Sequence, residues 1–296
     1  MSLDRVINLS LLFIVATIWA SAFGAMKIAV IETGPLTVAA ARTSIAAVVL
    51  IIFLRLRGPF PWQIIKDHKI EFLVIGSVGT ALPFTLLPWA EQSIDSSLAG
   101  LLMSVGPFAT LAGAYLFRLE DHFPKSRLYG IGLGLIGVCW LLSDGFVTMG
   151  TANLFGQILA ISAAIGYVSS NLMVRKISHI HWLTISTTGV IIAAFFLWPL
   201  AIIIEMPTPQ SWSYLSWQML LWLGIMPTAV AFSIRYLLIA RAGPTLISYV
   251  GYLIPAIAMV IGALFLDETI TASKMGALLI ILAGLVLAER KAPNGS

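Results

Sequence analysis

Charge is scarce in this sequence and cysteine nearly absent. Only 10% of the 296 residues are Asp, Glu, Lys or Arg, against about a quarter in soluble domains. The single cysteine, Cys139, excludes an intrachain disulfide framework and any cysteine-built zinc or iron–sulfur site. His68, His122, His179 and His181 all fall outside the apolar runs, which leaves no cage for haem or a metal, and no cofactor is expected. A Walker-type glycine loop is missing, so ATP-driven work is unsupported. No Ser–His pair, carboxylate pair or ligand cluster lies within an apolar run, which argues against an intramembrane enzyme.

What the chain has in quantity is apolar length. Hydrophobic residues make up 59% of it, and the mean hydropathy is +0.98. A helix needs roughly 20 apolar residues to cross the hydrocarbon core. On that rule ten spans are expected, at 7–29, 36–54, 72–90, 96–117, 128–143, 153–174, 183–204, 218–240, 244–266 and 274–288. Turn chemistry separates them, as at Glu32-Thr33-Gly34-Pro35, Arg57-Gly58-Pro59 and Pro207-Thr208-Pro209. Ala20-Ser21-Ala22 mimics a signal-peptidase site, but the apolar run continues to about Ala29, so the first span is read as retained. The reading is an all-α polytopic membrane protein. Its net charge of +4 belongs to dispersed loop residues facing lipid headgroups, not to a nucleic-acid surface.

Those loop residues also set an orientation. With the N-terminus inside, cytoplasmic segments hold 13 of the 17 basic residues, among them Arg55, Arg57, Lys66, Lys69, Arg118, Lys125, Arg127, Arg290 and Lys291. External loops hold Lys274 and seven acidic residues: Glu32, Glu91, Asp95, Asp144, Glu205, Asp267 and Glu268. Both termini are therefore expected in the cytoplasm.

Sliding the chain along itself by 148 residues aligns Ser21 with Ser169, Gly76 with Gly224 and Thr80-Ala81 with Thr228-Ala229. The same shift pairs Phe84 with Phe232, Pro107 with Pro255 and Glu120 with Glu268. Two units follow, 1–144 and 150–290, with 291–296 as a tail. Each holds five spans, an odd number, so the second unit enters the bilayer from the opposite side. Inverted repeats of this kind suit alternating access around a central cavity. A duplication kept for packing, or a channel, is the competing reading.

Several of the same residues carry a family likeness. Trp19 with Ala20-Ser21-Ala22-Phe23-Gly24, Gly76-Ser77-Val78-Gly79-Thr80-Ala81, Pro107 and Leu119-Glu120 stand in the first unit. Gly130 to Gly137 in the fifth span, Pro255 to Asp267-Glu268 and Gly276 to Gly284 complete the set. On these the chain resembles the ten-helix EamA-type exporters of the drug/metabolite transporter superfamily, and most of all the YddG-type exporters of aromatic and other amino acids. The resemblance implies a basket of ten helices around a cavity, working as an inner-membrane exporter of small metabolites, and a monomer is expected.

Candidate pathway residues follow from depth and polarity. Trp19 lies near mid-span, away from the interfacial belt, with Tyr167 as its counterpart in the repeat. The pair suits an apolar or aromatic substrate side chain, or a gate; helix packing with the indole N–H bonded internally is the alternative. Thr80, Phe84 and Pro88 share one face of the third span, and Thr228, Phe232 and Tyr236 repeat it in the eighth. The alternative there is threonine bonded to its own helix. Ser21, Gln157, Ser248 and Tyr252 add polar groups that must face the bundle or a wet cavity. Pro107 and Pro255 each free a carbonyl and are read as hinges or static kinks.

Charge bears on energetics. Lys27 and Arg235 are close enough to span ends to snorkel. Arg42 lies deeper, to meet a substrate carboxylate or pair with Glu91. None of the 13 acidic residues falls near mid-span, so gradient-driven uniport of neutral or zwitterionic metabolites is expected, with proton antiport of a broader drug and metabolite range as the alternative.

Overall fold

A computed structural model describes residues 3–109, 125–149, 151–177, 179–242 and 250–289. Among the described residues the secondary structure is helical, with no strand. Seven helices are long and apolar enough to cross a membrane, and three shorter apolar helices, Ser96–Ala109, Leu253–Phe265 and Ala272–Ala288, accompany them. The expected fourth and ninth spans run partly into residues outside the described set, as do Glu120, Ser248 and the tail 291–296.

The first long helix, α1, covers Leu3–Thr33 without interruption. A single residue, Gly34 at φ +83°, turns the chain into α2, Pro35–Arg57. Proline at the first helical position suits that start, since its missing N–H would have no partner there. A short helix α3, Trp62–Asp67, leads into α4, Lys69–Gly76. A π-helical turn at Ser77–Ala81 joins α4 to α5, Leu82–Ala90. Helix α6, Ser96–Leu102, loosens at Met103-Ser104 and resumes as α7 over 105–109.

After the undescribed stretch come α8, Lys125–Met149, and α9, Thr151–Lys176. Helix α8 runs six residues past the expected end at 143, through Asp144 and Gly145. Then follow α10, Trp182–Ile204, and α11, Tyr214–Leu223. A second π-helical segment, Gly224–Val230, leads into α12, Ala231–Ala242. The described chain closes with α13, Val250–Phe265, and α14, Ala272–Glu289.

The sides of the bundle stay apolar and exposed, with Phe53, Leu56, Phe195, Ile203 and Leu264 all more than half accessible. In water that would be a liability; in a bilayer it is the expected surface. Inside, packing runs through small residues. Helices α8 and α14 lie so close that a methyl on Gly284 would come within 2.6 Å of the Gly134 backbone N and 2.8 Å of the Gly130 carbonyl. Gly130, Gly134 and Gly137 thus serve close packing, whereas Gly132 meets no neighbour. Helices α2 and α10 pack against each other, as do α1 with α13 and α5 with α9. The largest buried apolar cluster is built from α1, α5, α6, α8, α9 and α13.

Candidate functional site

Two local irregularities build the centre. The π-helical turns Ser77–Ala81 and Gly224–Val230 fall at the 148-residue offset, and each holds a threonine bonded to the carbonyl five residues back. Thr80 Oγ1 donates to the Ile75 carbonyl at 2.9 Å, and Thr228 Oγ1 to the Leu223 carbonyl at 2.8 Å. In the second case the reason is local. Pro227 has no N–H for the carbonyl four residues earlier, that of Leu223, and the next hydroxyl takes its place. Just before these turns, Gly76 lies against Ile192 of α10 and Gly224 against Ile45 of α2.

Arg42 of α2 sits between the second irregular segment and α5. It is 4% exposed. Its Nε donates to Thr228 Oγ1 at 2.8 Å, and its guanidinium lies 3.8 Å over the Phe84 ring. The Nη1 group points to the Met26 sulfur at 3.7 Å. No carboxylate among the described residues lies within ion-pair distance of it. Burying a guanidinium costs several kcal/mol unless it is paired, and the ring face returns about 2 kcal/mol of that when desolvated.

Phe84 belongs to one of two matched aromatic pairs. Trp19 meets Phe232 edge-on at 6.0 Å, and Tyr167 meets Phe84 edge-on at 6.3 Å. Each pair joins one unit to the other, and the 148-residue offset converts one pair into the other. The Trp19 indole N–H donates to the Pro227 carbonyl at 3.0 Å, so its ring is fixed beside the second π-helical segment. Trp19, Tyr167 and Phe232 stay partly accessible, while Phe84 and Thr228 are closed off.

The expected residues divide on this geometry. Trp19, Arg42, Phe84, Tyr167, Thr228 and Phe232 come together. Thr80 is buried nearby, but its hydroxyl proton goes to its own helix. Ser21 accepts from the Trp222 indole N–H at 3.0 Å, so Trp222 is not simply an interfacial tryptophan. Gln157 is fully buried and bonds Asn153 one turn earlier, with its Oε1 unpartnered. Neighbouring Gly156 packs on Ser93 and Ala90, which sets Gln157 at the Glu91 end of α5. Ser248 lies outside the described residues, and so does the Tyr252 side chain, although its backbone is in α13.

The two prolines differ. The α6–α7 break lies about one turn before Pro107, where its missing N–H and ring disturb the Met103 carbonyl. Pro255 sits inside a continuous helix.

One charge expectation is corrected. Arg42 does not pair with Glu91; Thr228 and Phe84 hold it instead. The Lys27 Nζ reaches to the end of α5 and donates to the Glu91 and Ile94 carbonyls at 2.6 and 2.7 Å. Sequence reasoning also missed Met26 and the Pro227 carbonyl. The Pro227-Thr228 dipeptide was the available signal, because proline exposes a carbonyl that a following threonine reaches.

The other carboxylates at this end of the bundle cap helices. Glu205 accepts from the Leu36 and Thr37 backbone N–H groups at 2.8 and 2.7 Å, starting α2. Glu268 does the same for Ser96 and Ser97, starting α6, at 2.7 and 2.9 Å. Glu32 takes the Ser213 N–H and Ser216 hydroxyl before and within α11.

Comparison with known proteins now meets this architecture. The profile of the EamA-like transporter family matches twice, over residues 7–143 and 151–289. The chain belongs to the EamA-like transporter family. Among curated members, "Uncharacterized transporter YoaV" of Bacillus subtilis is 22% identical over 92% of this chain and 93% of its own length. "Uncharacterized inner membrane transporter YedA" of Escherichia coli K12 is 25% identical over 93% and 88%. A "Probable amino-acid metabolite efflux pump" of the same organism is 25% identical over 94% and 93%. A solved crystal structure shares the fold at a TM-score of 0.65 and 18% identity, covering 96% of this chain and 98% of that one. Membership makes this a multi-pass transporter, and the matched aromatic pairs are where its two family units meet.

Proposed function

We propose that the protein is an inner-membrane, alternating-access carrier that exports amino acids, aromatic ones included, and related small metabolites. The observation that carries this reading is Arg42, a buried cation with no carboxylate within ion-pair distance among the described residues, which bonds Thr228 of one unit and lies over Phe84 of the other, a member of one of the two aromatic pairs between the units. A ligand carboxylate completes the hydrogen bonding of the guanidinium, and bidentate arginine–carboxylate pairing supplies both energy and direction. An apolar or aromatic side chain then lies between Trp19, Tyr167, Phe84 and Phe232. Ser21, Thr80, Gln157, Ser248 and Tyr252 are proposed as further polar contacts in the cycle, with hinging at Pro107 and Pro255.

The relative named a probable amino-acid metabolite efflux pump supports this substrate class, and the relative named an inner membrane transporter supports the location. Contacts that repeat at the 148-residue offset support two halves related by a pseudo-two-fold, entering from opposite sides, with both termini cytoplasmic. A monomer suffices, since both units lie in one chain. The simplest cycle is uniport, which rests on the absence of a mid-span carboxylate. Glu91, buried at the end of α5, is the observation that bears against it.

The test is counterflow in proteoliposomes, using a panel of labelled amino acids. Saturable exchange of aromatic and other zwitterions is expected. Flux that never saturates indicates a pore, and no uptake of any amino acid overturns the substrate assignment.

A further inference from the structure

Glu91 is unlike the other carboxylates at its end of the bundle. It is 0% exposed, and neither of its oxygens has a hydrogen-bond partner among the described residues. Glu32, Glu205 and Glu268 each take two or more donors. The cations nearby are engaged elsewhere: Lys27 with two carbonyls, Arg42 with Thr228 and Phe84. An ionised carboxylate left bare in such a place costs several kcal/mol, whereas a neutral carboxyl costs far less.

We propose that Glu91 is a proton site shared with the substrate ammonium, which makes the carrier a proton antiporter in place of a uniporter. This rests on the carrier reading above, with Arg42 as the carboxylate subsite. In the closed arrangement seen here the carboxyl holds a proton. When a zwitterion enters, its carboxylate goes to Arg42 and its ammonium to Glu91, whose proton leaves to the solvent on the open side. The loaded carrier crosses, the zwitterion departs, and a proton from the far side restores the neutral carboxyl. One proton therefore moves opposite to each zwitterion, and one positive charge crosses per cycle.

The charged surroundings fit this exchange. Lys27 of α1, Arg42 of α2 and Glu268 after α13 are the charges that act on Glu91. Helix α9, packed on α5, offers Tyr167, which faces Arg42. Asp95, before α6, is tied to Lys274 of α14 at 2.6 Å and is not free to neutralise anything else. A groove of about 340 Å³ is lined by Lys27, Asp95 and Glu268, two of the charges that act on Glu91 among them.

The experiment measures substrate-induced proton release from purified protein in weakly buffered detergent solution, beside counterflow in liposomes. Wild type is expected to release one proton per substrate bound and to accumulate substrate against its gradient when protons flow the other way. Glu91→Gln should release none, and whatever exchange it retains should lose its pH dependence; Glu91→Asp should restore release. Counterflow by wild type without proton release overturns the proposal, as does proton entry in the same direction as substrate. Unchanged release from Glu91→Gln does the same. Should that variant fail to fold, the wild-type stoichiometry decides alone. Absence of any counterflow strikes the carrier reading itself, a result that proton release cannot mimic.

Discussion

Arg42 keeps its charge in a place where charge is expensive, which makes it the sharpest residue to test. Replacing it by methionine removes the buried cation while filling similar volume. Flux of zwitterionic amino acids is expected to fall at least tenfold, with expression and melting temperature in detergent unchanged or raised, since desolvation of the charge is relieved. A drop in flux that merely follows a drop in melting temperature contradicts that role. Trp19→Phe is a finer probe. It keeps the contact with Phe232 but loses the N–H bond to the Pro227 carbonyl, a loss of about 1 kcal/mol. Moderately reduced flux is expected, with the strongest effect on the largest substrates; equal loss for all substrates points to packing alone. Arg42, Trp19 and the aromatic counterparts were legible because depth and the repeat offset can be counted along a chain. The partners were not. Whether Arg42 reaches Glu91 or Thr228 depends on which side the Gly224–Val230 segment presents, and the carbonyls that hold Lys27 lie at Glu91 and Ile94, more than sixty positions away.

Helices depend here on caps drawn from distant segments. Glu205 closes the start of α2, where Gly34 has no side chain to do so. Glu205→Gln should lower stability by about 1 kcal/mol, read as a lower melting temperature in detergent; no change means that Thr37 or water has taken over the cap. Packing between α8 and α14 depends on Gly284, and Gly284→Leu should prevent assembly, seen as aggregation during purification. The apolar spans were legible from run length and turn chemistry. Their irregularities were hidden. The hydropathy of Ser77–Ala81 and Gly224–Val230 is continuous with the flanking helix, so nothing in it announces a wider turn. The apolar span of α8 ends at Ser143 as expected, while the helix itself continues through Asp144-Gly145 to Met149.

For the molecule as a whole, Glu32, Glu205 and Glu268 tie one unit to the other at the end that also holds Glu91. If the carrier opens there, Glu32 must part from Ser216, now 2.6 Å apart. A Glu32→Cys, Ser216→Cys pair in a Cys139→Ser background should cross-link on oxidation and stop transport, with reductant restoring it. Full activity of the cross-linked protein places the moving seam elsewhere. The opposite end is fastened differently. At the repeat offset, Glu205 corresponds to Arg57, and Arg57 meets the His181 ring, before α10, through one exposed contact at 3.3 Å. At the same end Lys176 is paired with Glu71 at 2.6 Å, one unit to the other. If the proposed carrier rocks about its centre, both doors are latched by charge, and each latch must let go in its turn before cargo can pass.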